Sequence, residues 1–147
     1  MKRAVFSFVF LFLLWFPGAN AQSVRHVLTD FDYIGRWAND CSRPLSPENN
    51  FLDVVVTSSD TVEHRYDFGD GRGEVNTIIS AQRTGKDELT MRYVRGDSPL
   101  ERTQVVVRKG DTIRTMRLTL SDGTVVTDDG IIVRVKAPTR TLVRCRR

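Results

Sequence analysis

Alternation of apolar and polar residues dominates the chain after residue 33 and is typical of β-strands. Segment 61–68 is the clearest case, because aliphatic, aromatic or imidazole side chains occupy every second position. The residues of that face are Val62, His64, Tyr66 and Phe68. Successive side chains of a strand point to opposite faces, so this spacing predicts one buried and one solvated face. Helical periodicity is confined to a turn or two around 24–32.

Turn-forming residues separate the alternating segments at short intervals. Gly and Asp, which favour tight turns, cluster at 69–73, 85–87, 96–99, 109–111, 121–123 and 128–130. The segments between these clusters predict strands at 33–37, 51–57, 61–68, 74–82, 88–95, 101–109, 112–120, 123–127, 130–136 and 139–145. Eight to ten strands about 10 residues apart predict an all-β fold. Its architecture is either a small antiparallel up-and-down barrel of about eight strands or a β-sandwich.

Four segments refine this prediction. Within 112–120, Ile113 is out of phase with the later apolar residues, which predicts a β-bulge near Arg114 and Thr115. Residues 42–50 contain two Pro and two Asn and are predicted to form a loop. Two faces are expected to point inward, one made of Ile131, Val133 and Val135, the other of Thr141, Val143 and Cys145.

The first residues have the features of a secretory signal. Lys2 and Arg3 precede a largely apolar run at 4–16, and small residues follow at 19–21. The run is shorter than the roughly 20 residues needed to cross a bilayer, and no comparable stretch follows it. We therefore expect a signal peptide at 1–21, a single all-β domain at 22–147, a periplasmic or secreted location, and no membrane span.

Charge is unevenly distributed after the expected signal peptide. The 20 Lys and Arg beyond residue 21 nearly balance 18 Asp and Glu, but residues 101–147 hold 11 basic and five acidic side chains. The candidate basic surface consists of Arg134, Lys136, Arg140, Arg144 and Arg146. It either binds an acidic envelope polymer or is a solvated face. A nucleic-acid partner is not predicted.

Cys41 and Cys145 are the only cysteines in the chain. In an oxidising compartment two cysteines predict one structural disulfide, here closing a loop of about 105 residues. A metal site would need further ligands and a nucleophilic thiol would need a base, and His26 and His64 are the only histidines available. We predict the disulfide, with no metal and no cofactor.

Gly35 and Trp37 form a Gly-x-Trp sequence in the first predicted strand. This motif resembles the first strand of the calycin superfamily, which includes lipocalins, avidins and small bacterial metalloprotease inhibitors. The resemblance implies a barrel whose closed end is plugged by Trp37, with Gly35 allowing close packing. A late arginine often lies over the indole in that superfamily, and Arg140 and Arg144 are the two counterparts here. The chain departs from lipocalins in lacking a helix near its end.

A longer pattern resembles a set of small exported alphaproteobacterial proteins with no assigned activity. It reads Gly-x-Trp-Ala-x-Asp-Cys-Ser, then a Pro-containing loop with Asn, then a final Cys. The matching positions are Gly35, Trp37, Ala38, Asp40, Cys41, Ser42, Pro44, Asn50 and Cys145. The resemblance implies a periplasmic location and one disulfide.

His64 on an apolar strand face has two interpretations, a core histidine or a polar group lining a cavity. In a hollow barrel the candidate ligand-lining residues are Trp37, His64, Tyr66, Met91 and Tyr93. We therefore hypothesise an exported, non-enzymatic binding protein for a small amphipathic ligand, with no catalytic residues. The alternative is an inhibitor of an exported hydrolase, or a module that binds an envelope protein, acting through loop 42–50.

Overall fold

The fold comes from a computed structural model that describes residues 23–57 and 60–146. The expected signal peptide, 1–21, lies outside the described residues. One short helix, α1 (Val24–Asp30), precedes the strands. The strands are β1 (Gly35–Ala38), β2 (Phe51–Val56), β3 (Val62–Asp67), β4 (Gly73–Arg83), β5 (Glu88–Arg95), β6 (Glu101–Lys109), β7 (Thr112–Leu120), β8 (Val125–Asp128), β9 (Ile131–Ile132), β10 (Ala137–Pro138) and β11 (Thr141–Cys145).

Eight of these strands close an antiparallel barrel. Strands β1 to β7 pair in chain order, and β11 closes the barrel by pairing with both β7 and β1. This topology confirms the predicted barrel and decides against the sandwich. The strands predicted at 88–95, 101–109 and 112–120 have the observed bounds. In the described part of the chain, no helix is long and apolar enough to cross a membrane.

The predicted strand at 130–136 is wrong. The chain there forms the short β9 and a four-residue turn, which leads into β10. Lys136 has a φ of 55°, and its amide donates to the Ile132 carbonyl at 2.9 Å, so the chain reverses instead of extending. Val133 and Val135, expected on an inner face, are 37% and 55% exposed.

Strand β7 changes its partner partway along its length. Its first three residues pair with β11, and residues near its end pair with β8. Between these pairings, Thr115 and Arg117 oppose consecutive residues of β6, so Met116 forms a bulge. The predicted bulge near Arg114 and Thr115 therefore exists but lies slightly later in the strand.

Residues 125–138, here called the flap, cover the gap that opens between β7 and β11. The Gly130 amide donates to the Met116 carbonyl at 2.8 Å, and the Arg114 guanidinium donates to the Gly130 carbonyl at 2.9 Å. The Thr139 hydroxyl donates to a β7 carbonyl at 2.8 Å. Gly130 has a φ of 71°, and a Cβ there would lie 2.7 Å from the Arg114 guanidinium. The positive φ therefore favours glycine where the flap meets β7, and a larger residue would also displace the Arg114 guanidinium.

Helix α1 packs over the opposite, closed end of the barrel, where Val27 and Leu28 enter the core. The Tyr33 amide donates to the Leu28 carbonyl at 2.8 Å, and Asp32 adopts a φ of 58°. These are the features of a Schellman motif, with Asp32 in the left-handed position that glycine usually takes. The motif turns the chain sharply from α1 into β1.

Arg144 links this turn to the barrel core. Its Nη1 and Nη2 donate to the carbonyls of Asp32 and Ile34 at 2.7 and 2.8 Å, and it forms an ion pair with the Asp32 carboxylate. Its Cζ lies 5.5 Å from the ring centroid of Trp37. Trp37 is fully buried and donates from Nε1 to the Tyr33 carbonyl at 2.9 Å. Of the two arginines expected over the indole, Arg144 occupies that position.

The expected faces of β11 are reversed. Leu142 packs against the core and Arg144 lies opposite Trp37, so these residues face inward. Val143 is exposed, and Cys145 lies on the exterior of the barrel opposite Arg36. An inward arginine is stable here because carbonyl groups and a carboxylate satisfy its guanidinium.

The predicted disulfide is confirmed between Cys41 and Cys145, which are 104 residues apart. It joins the loop after β1 to the end of β11. Because it links the segment next to β1 with the last residue of β11, it limits the separation of these two barrel-closing strands in the unfolded chain.

We expect Cys41→Ser/Cys145→Ser to lower the free energy of unfolding by up to about 4 to 5 kcal/mol, because a loop of this length is no longer closed. Urea unfolding followed by circular dichroism measures the change. Alkylation of the unreduced parent should add no mass, since neither thiol is free. Alkyl adducts on the unreduced protein would contradict the disulfide.

Substitution Trp37→Ala should lower the free energy of unfolding by about 3 to 5 kcal/mol, since it empties a fully buried site. Trp37→Phe serves as the control. It keeps a large ring and loses the hydrogen bond to the Tyr33 carbonyl, so its free energy of unfolding should fall by less than that of the alanine variant. Thermal unfolding is the measurement, and an alanine variant that melts within a few degrees of the parent would show that Trp37 is not core.

Candidate functional site

The half of the barrel beneath the flap contains a cavity of about 520 Å³. Small-molecule sites typically have volumes of roughly 300–1,000 Å³. Its apolar wall consists of Phe68, Leu118, Leu120, Val126 and Ile132. Its polar wall consists of Glu74, Arg102, Gln104, Thr115, Thr127, Thr139 and Arg140, and Tyr66 and Tyr93 complete the lining. A cavity of about 170 Å³ shares Tyr66, Phe68, Thr115, Thr139 and Arg140 with it.

The cavity exists because β7 leaves β11 at the Met116 bulge. The barrel wall at this height is completed by the flap, which contributes Val126, Thr127 and Ile132 to the lining. A flap of three short strands replaces the close strand pairing found lower in the barrel. The interior therefore widens toward the mouth.

Arg102 is the less exposed of the two arginines in the polar wall, with a side chain 16% exposed. Its Nη1 is enclosed and makes no hydrogen bond within the described residues. The nearest carboxylate oxygen, Oε1 of Glu74, is 3.8 Å away. The second oxygen of Glu74 lies 3.1 Å from Arg95, so this carboxylate is divided between two guanidinium groups. Arg102 is thus incompletely neutralised and suited to a further anionic group.

Gln104 lies next to Arg102 on the inner face of β6. Its Nε2 donates to the Thr115 hydroxyl at 2.6 Å. Its Oε1 is buried and has no hydrogen-bond partner within 23–57 and 60–146. Buried polar atoms normally have partners, so Arg102 and Gln104 give the cavity wall unused hydrogen-bonding capacity.

Beneath the cavity, His64 and Asn76 form a fully buried polar pair. They lie opposite each other on β3 and β4. Both nitrogens of His64 and both side-chain polar atoms of Asn76 lack hydrogen-bond partners in the described part of the chain. The His64 ring makes edge contacts with Tyr33, Tyr66 and Tyr93, at centroid distances of 5.5, 6.0 and 5.4 Å.

Burial determines the protonation of the layer formed by His64 and the three tyrosines around it. Desolvation lowers the pKa of His64 from 6.5 to about 3, so the imidazole is neutral at physiological pH. Desolvation raises the pKa of Tyr93 to about 12 and also raises the pKa values of Tyr33 and Tyr66. The layer is therefore uncharged, and the formal charges of the site lie at the mouth.

The predicted ligand-lining residues divide into three groups. Tyr66 and Tyr93 line the cavity. His64 lies one layer below and reaches the cavity only through the rings of these tyrosines. Trp37 and Met91 are fully buried in the packed half and do not line it. Sequence reasoning missed Arg102 and Gln104, although their alternation on 101–109 could have placed them on the inner face.

The predicted basic residues do not form one patch. Arg144 points inward at the closed end of the barrel, and Arg146 pairs with Asp111 at 2.8 Å. Arg140 lines the cavity. Arg134 and Lys136 remain together, exposed in the turn between β9 and β10.

Loop 42–50 is organised by Asn49, which the sequence analysis did not single out. Its buried Nδ2 donates to the carbonyls of Asp40, Arg43 and Pro44 at 2.9, 3.0 and 3.1 Å. Its Oδ1 accepts from the Asp40 amide at 2.9 Å. An Asn in a Pro-containing loop is the available signal, because its side chain readily replaces backbone partners.

No family model matches the chain, and no curated protein or solved structure matches it. Its site is therefore interpreted from its own geometry.

Substitution His64→Leu should raise the free energy of unfolding near pH 7 by about 1 to 3 kcal/mol, because two buried, unpaired nitrogens are removed. It should also reduce acid sensitivity. Below pH 6.5 the unfolded chain binds a proton that the folded chain binds only near pH 3. The free energy of unfolding of the parent therefore decreases as the pH is lowered from 6.5 to 3, by at most about 1.4 kcal/mol per pH unit.

Urea unfolding at several pH values between these limits measures both effects. Met91→Leu is the matched control, since it changes a buried residue of similar size without removing a titratable group. It should keep the pH slope of the parent. A His64→Leu variant with the parent's slope would show that His64 does not cause the acid sensitivity.

Proposed function

We propose that this protein is an exported, non-enzymatic binding protein of the cell envelope that holds a small amphipathic molecule in the mouth of its barrel. The cavity of about 520 Å³ is the observation that carries the proposal. Its apolar wall suits the hydrocarbon part of such a molecule. Arg102, whose Nη1 is an unused donor, suits an anionic group, and the unused Oε1 of Gln104 suits a hydrogen-bond donor such as a hydroxyl group.

The arrangement around Trp37 supports a calycin-like reading of the chain. Gly35 has a φ of 138°, and a Cβ there would lie 3.3 Å from the Arg144 guanidinium. Glycine therefore leaves room for Arg144 to lie over the indole. The disulfide supports a periplasmic or secreted location, because such bonds persist in oxidising compartments.

The alternative, an inhibitor or envelope-protein module acting through loop 42–50, would fit an ordered loop above a filled barrel. Asn49 does hold the loop in place. The mouth half of the barrel holds an open pocket of about 520 Å³, however. The geometry therefore favours the ligand-binding proposal.

We expect the exported protein to bind the anionic apolar dye anilinonaphthalene sulfonate and the neutral apolar dye Nile red saturably, since both fit an apolar cavity. Fluorescence titration is the measurement. Leu118→Trp, which fills the cavity, should weaken the binding of both dyes. Val75→Trp adds the same side chain at an exposed position and should leave the binding of both dyes unchanged. If the parent binds neither dye, or if both tryptophan variants behave alike, the proposed function is wrong.

Arg102→Met separates the polar contribution from the apolar one. A hydrogen bond to a charged group contributes about 1.5 to 3 kcal/mol, so the anionic dye should lose about tenfold or more in affinity. The neutral dye should be little affected. Arg92→Met is the control, because Arg92 pairs with Glu101 on the exposed side of the barrel. An equal loss for both dyes would assign Arg102 a structural role only.

A further inference from the structure

The turn of the flap at 133–136, here called the tip, combines exposed aliphatic and cationic side chains. It reads Val-Arg-Val-Lys, and Val135 is among the most exposed large apolar residues of the described chain. Four of the eight exposed large apolar residues lie in the flap, at Val125, Ile131, Val133 and Val135. Half of the exposed large apolar residues therefore lie in this one segment of the described chain, and such a concentration is common at interaction sites.

The charge of the tip is uncompensated. Arg134 and Lys136 form no ion pair with any residue of 23–57 or 60–146. The flap carboxylates, Asp128 and Asp129, belong to the turn at the other end of β9. Asp128 lies 3.9 Å from Arg117. The tip thus presents two cations beside two valines with no anion of its own.

We propose that the tip docks on the surface of an anionic lipid bilayer. Aliphatic side chains that enter the interface, flanked by cations that meet lipid phosphates, are the combination by which surface segments bind such membranes. A soluble acidic polymer would be recognised by the cations alone and leaves the valines unexplained. A stable protein interface needs roughly 1,000 Å² or more and usually aromatic anchors, which a four-residue turn does not supply.

The position of the tip adds a consequence for the cavity. The flap residues Val126 and Ile132 line the cavity, and the tip directly follows Ile132 in the chain. Docking of the tip would therefore bring the mouth of the barrel close to the bilayer. The inference itself concerns the tip and does not depend on the proposed ligand.

Cosedimentation of the exported protein with vesicles tests the proposal. One set contains phosphatidylcholine alone, and the other contains equal parts of phosphatidylcholine and phosphatidylglycerol. The parent should partition onto the anionic vesicles and release as salt is added. Arg134→Gln/Lys136→Gln should lower partitioning by about thirtyfold. Val133→Ser/Val135→Ser should lower it by about tenfold, since two apolar side chains are lost from the interface.

Val75→Ser/Ile79→Ser is the matched control, because it removes two exposed apolar residues from β4, three strands away from β7. It should bind like the parent. Binding of the parent no better to anionic than to neutral vesicles would overturn the proposal. So would equal losses in the control and tip valine variants. A loss limited to the cation variant would overturn bilayer docking and assign the tip to soluble acidic polymers. Dye binding is measured separately, so failure here leaves the proposed function intact.

Discussion

The departure of β7 from β11 at Met116 is the constraint on which the open half of the barrel depends. Below the bulge, β7 and β11 pair directly and the interior is packed. Above it, β7 pairs with β8 and the wall is completed by the flap. The Gly130 amide donates a hydrogen bond to the carbonyl of the bulged Met116. Strand β7 and the flap are therefore joined at the point where β7 leaves β11.

The closed half depends on a largely enclosed cation that points inward. Arg144, whose side chain is 21% exposed, needs partners there, because desolvating an unpaired charge is costly. The left-handed turn at Asp32 presents a backbone carbonyl and a carboxylate to it, and Ile34 presents another carbonyl. The end of α1, the indole of Trp37 and strand β11 are thereby fixed to one another. A rigid base of this kind allows the other half to be wide.

The sequence predicts the all-β class and most strand positions because these depend on local patterns, and it predicts the disulfide because the chain has only two cysteines. The choice between barrel and sandwich depended on the long-range pairing of β11 with β1 and β7. On 61–68 the inward-facing residues are aliphatic, aromatic or imidazole, so the alternation predicts the faces correctly. On β11 the inward-facing Arg144 is charged, and it faces inward only because carbonyl groups after α1 accept its hydrogen bonds. The strand predicted at 130–136 failed because the same alternation also fits an exposed turn.

The sequence left a hollow barrel lined by Tyr66 and Tyr93 as one interpretation, but the position of the cavity could not be predicted. It depends on which half of β7 pairs with which partner, and a bulge displaced by one or two positions would change the lining. His64 is a related case. Its inward position was predictable from alternation, but the choice between core and cavity depended on the rings of Tyr33, Tyr66 and Tyr93.

Barrel closure pairs the first strand with the last, and this has a consequence for folding. The seam between β1 and β11 joins segments about as far apart in the chain as Cys41 and Cys145, which are 104 residues apart. Contacts of such long range form late, because the entropy of ordering the intervening chain opposes them. Until then β1 and the first part of β7 are open edges that accept a strand. Strand β11 of a second copy can pair with these edges as well as the protein's own β11 can. Exchange of β11 between two copies is therefore the expected form of misassembly at high concentration.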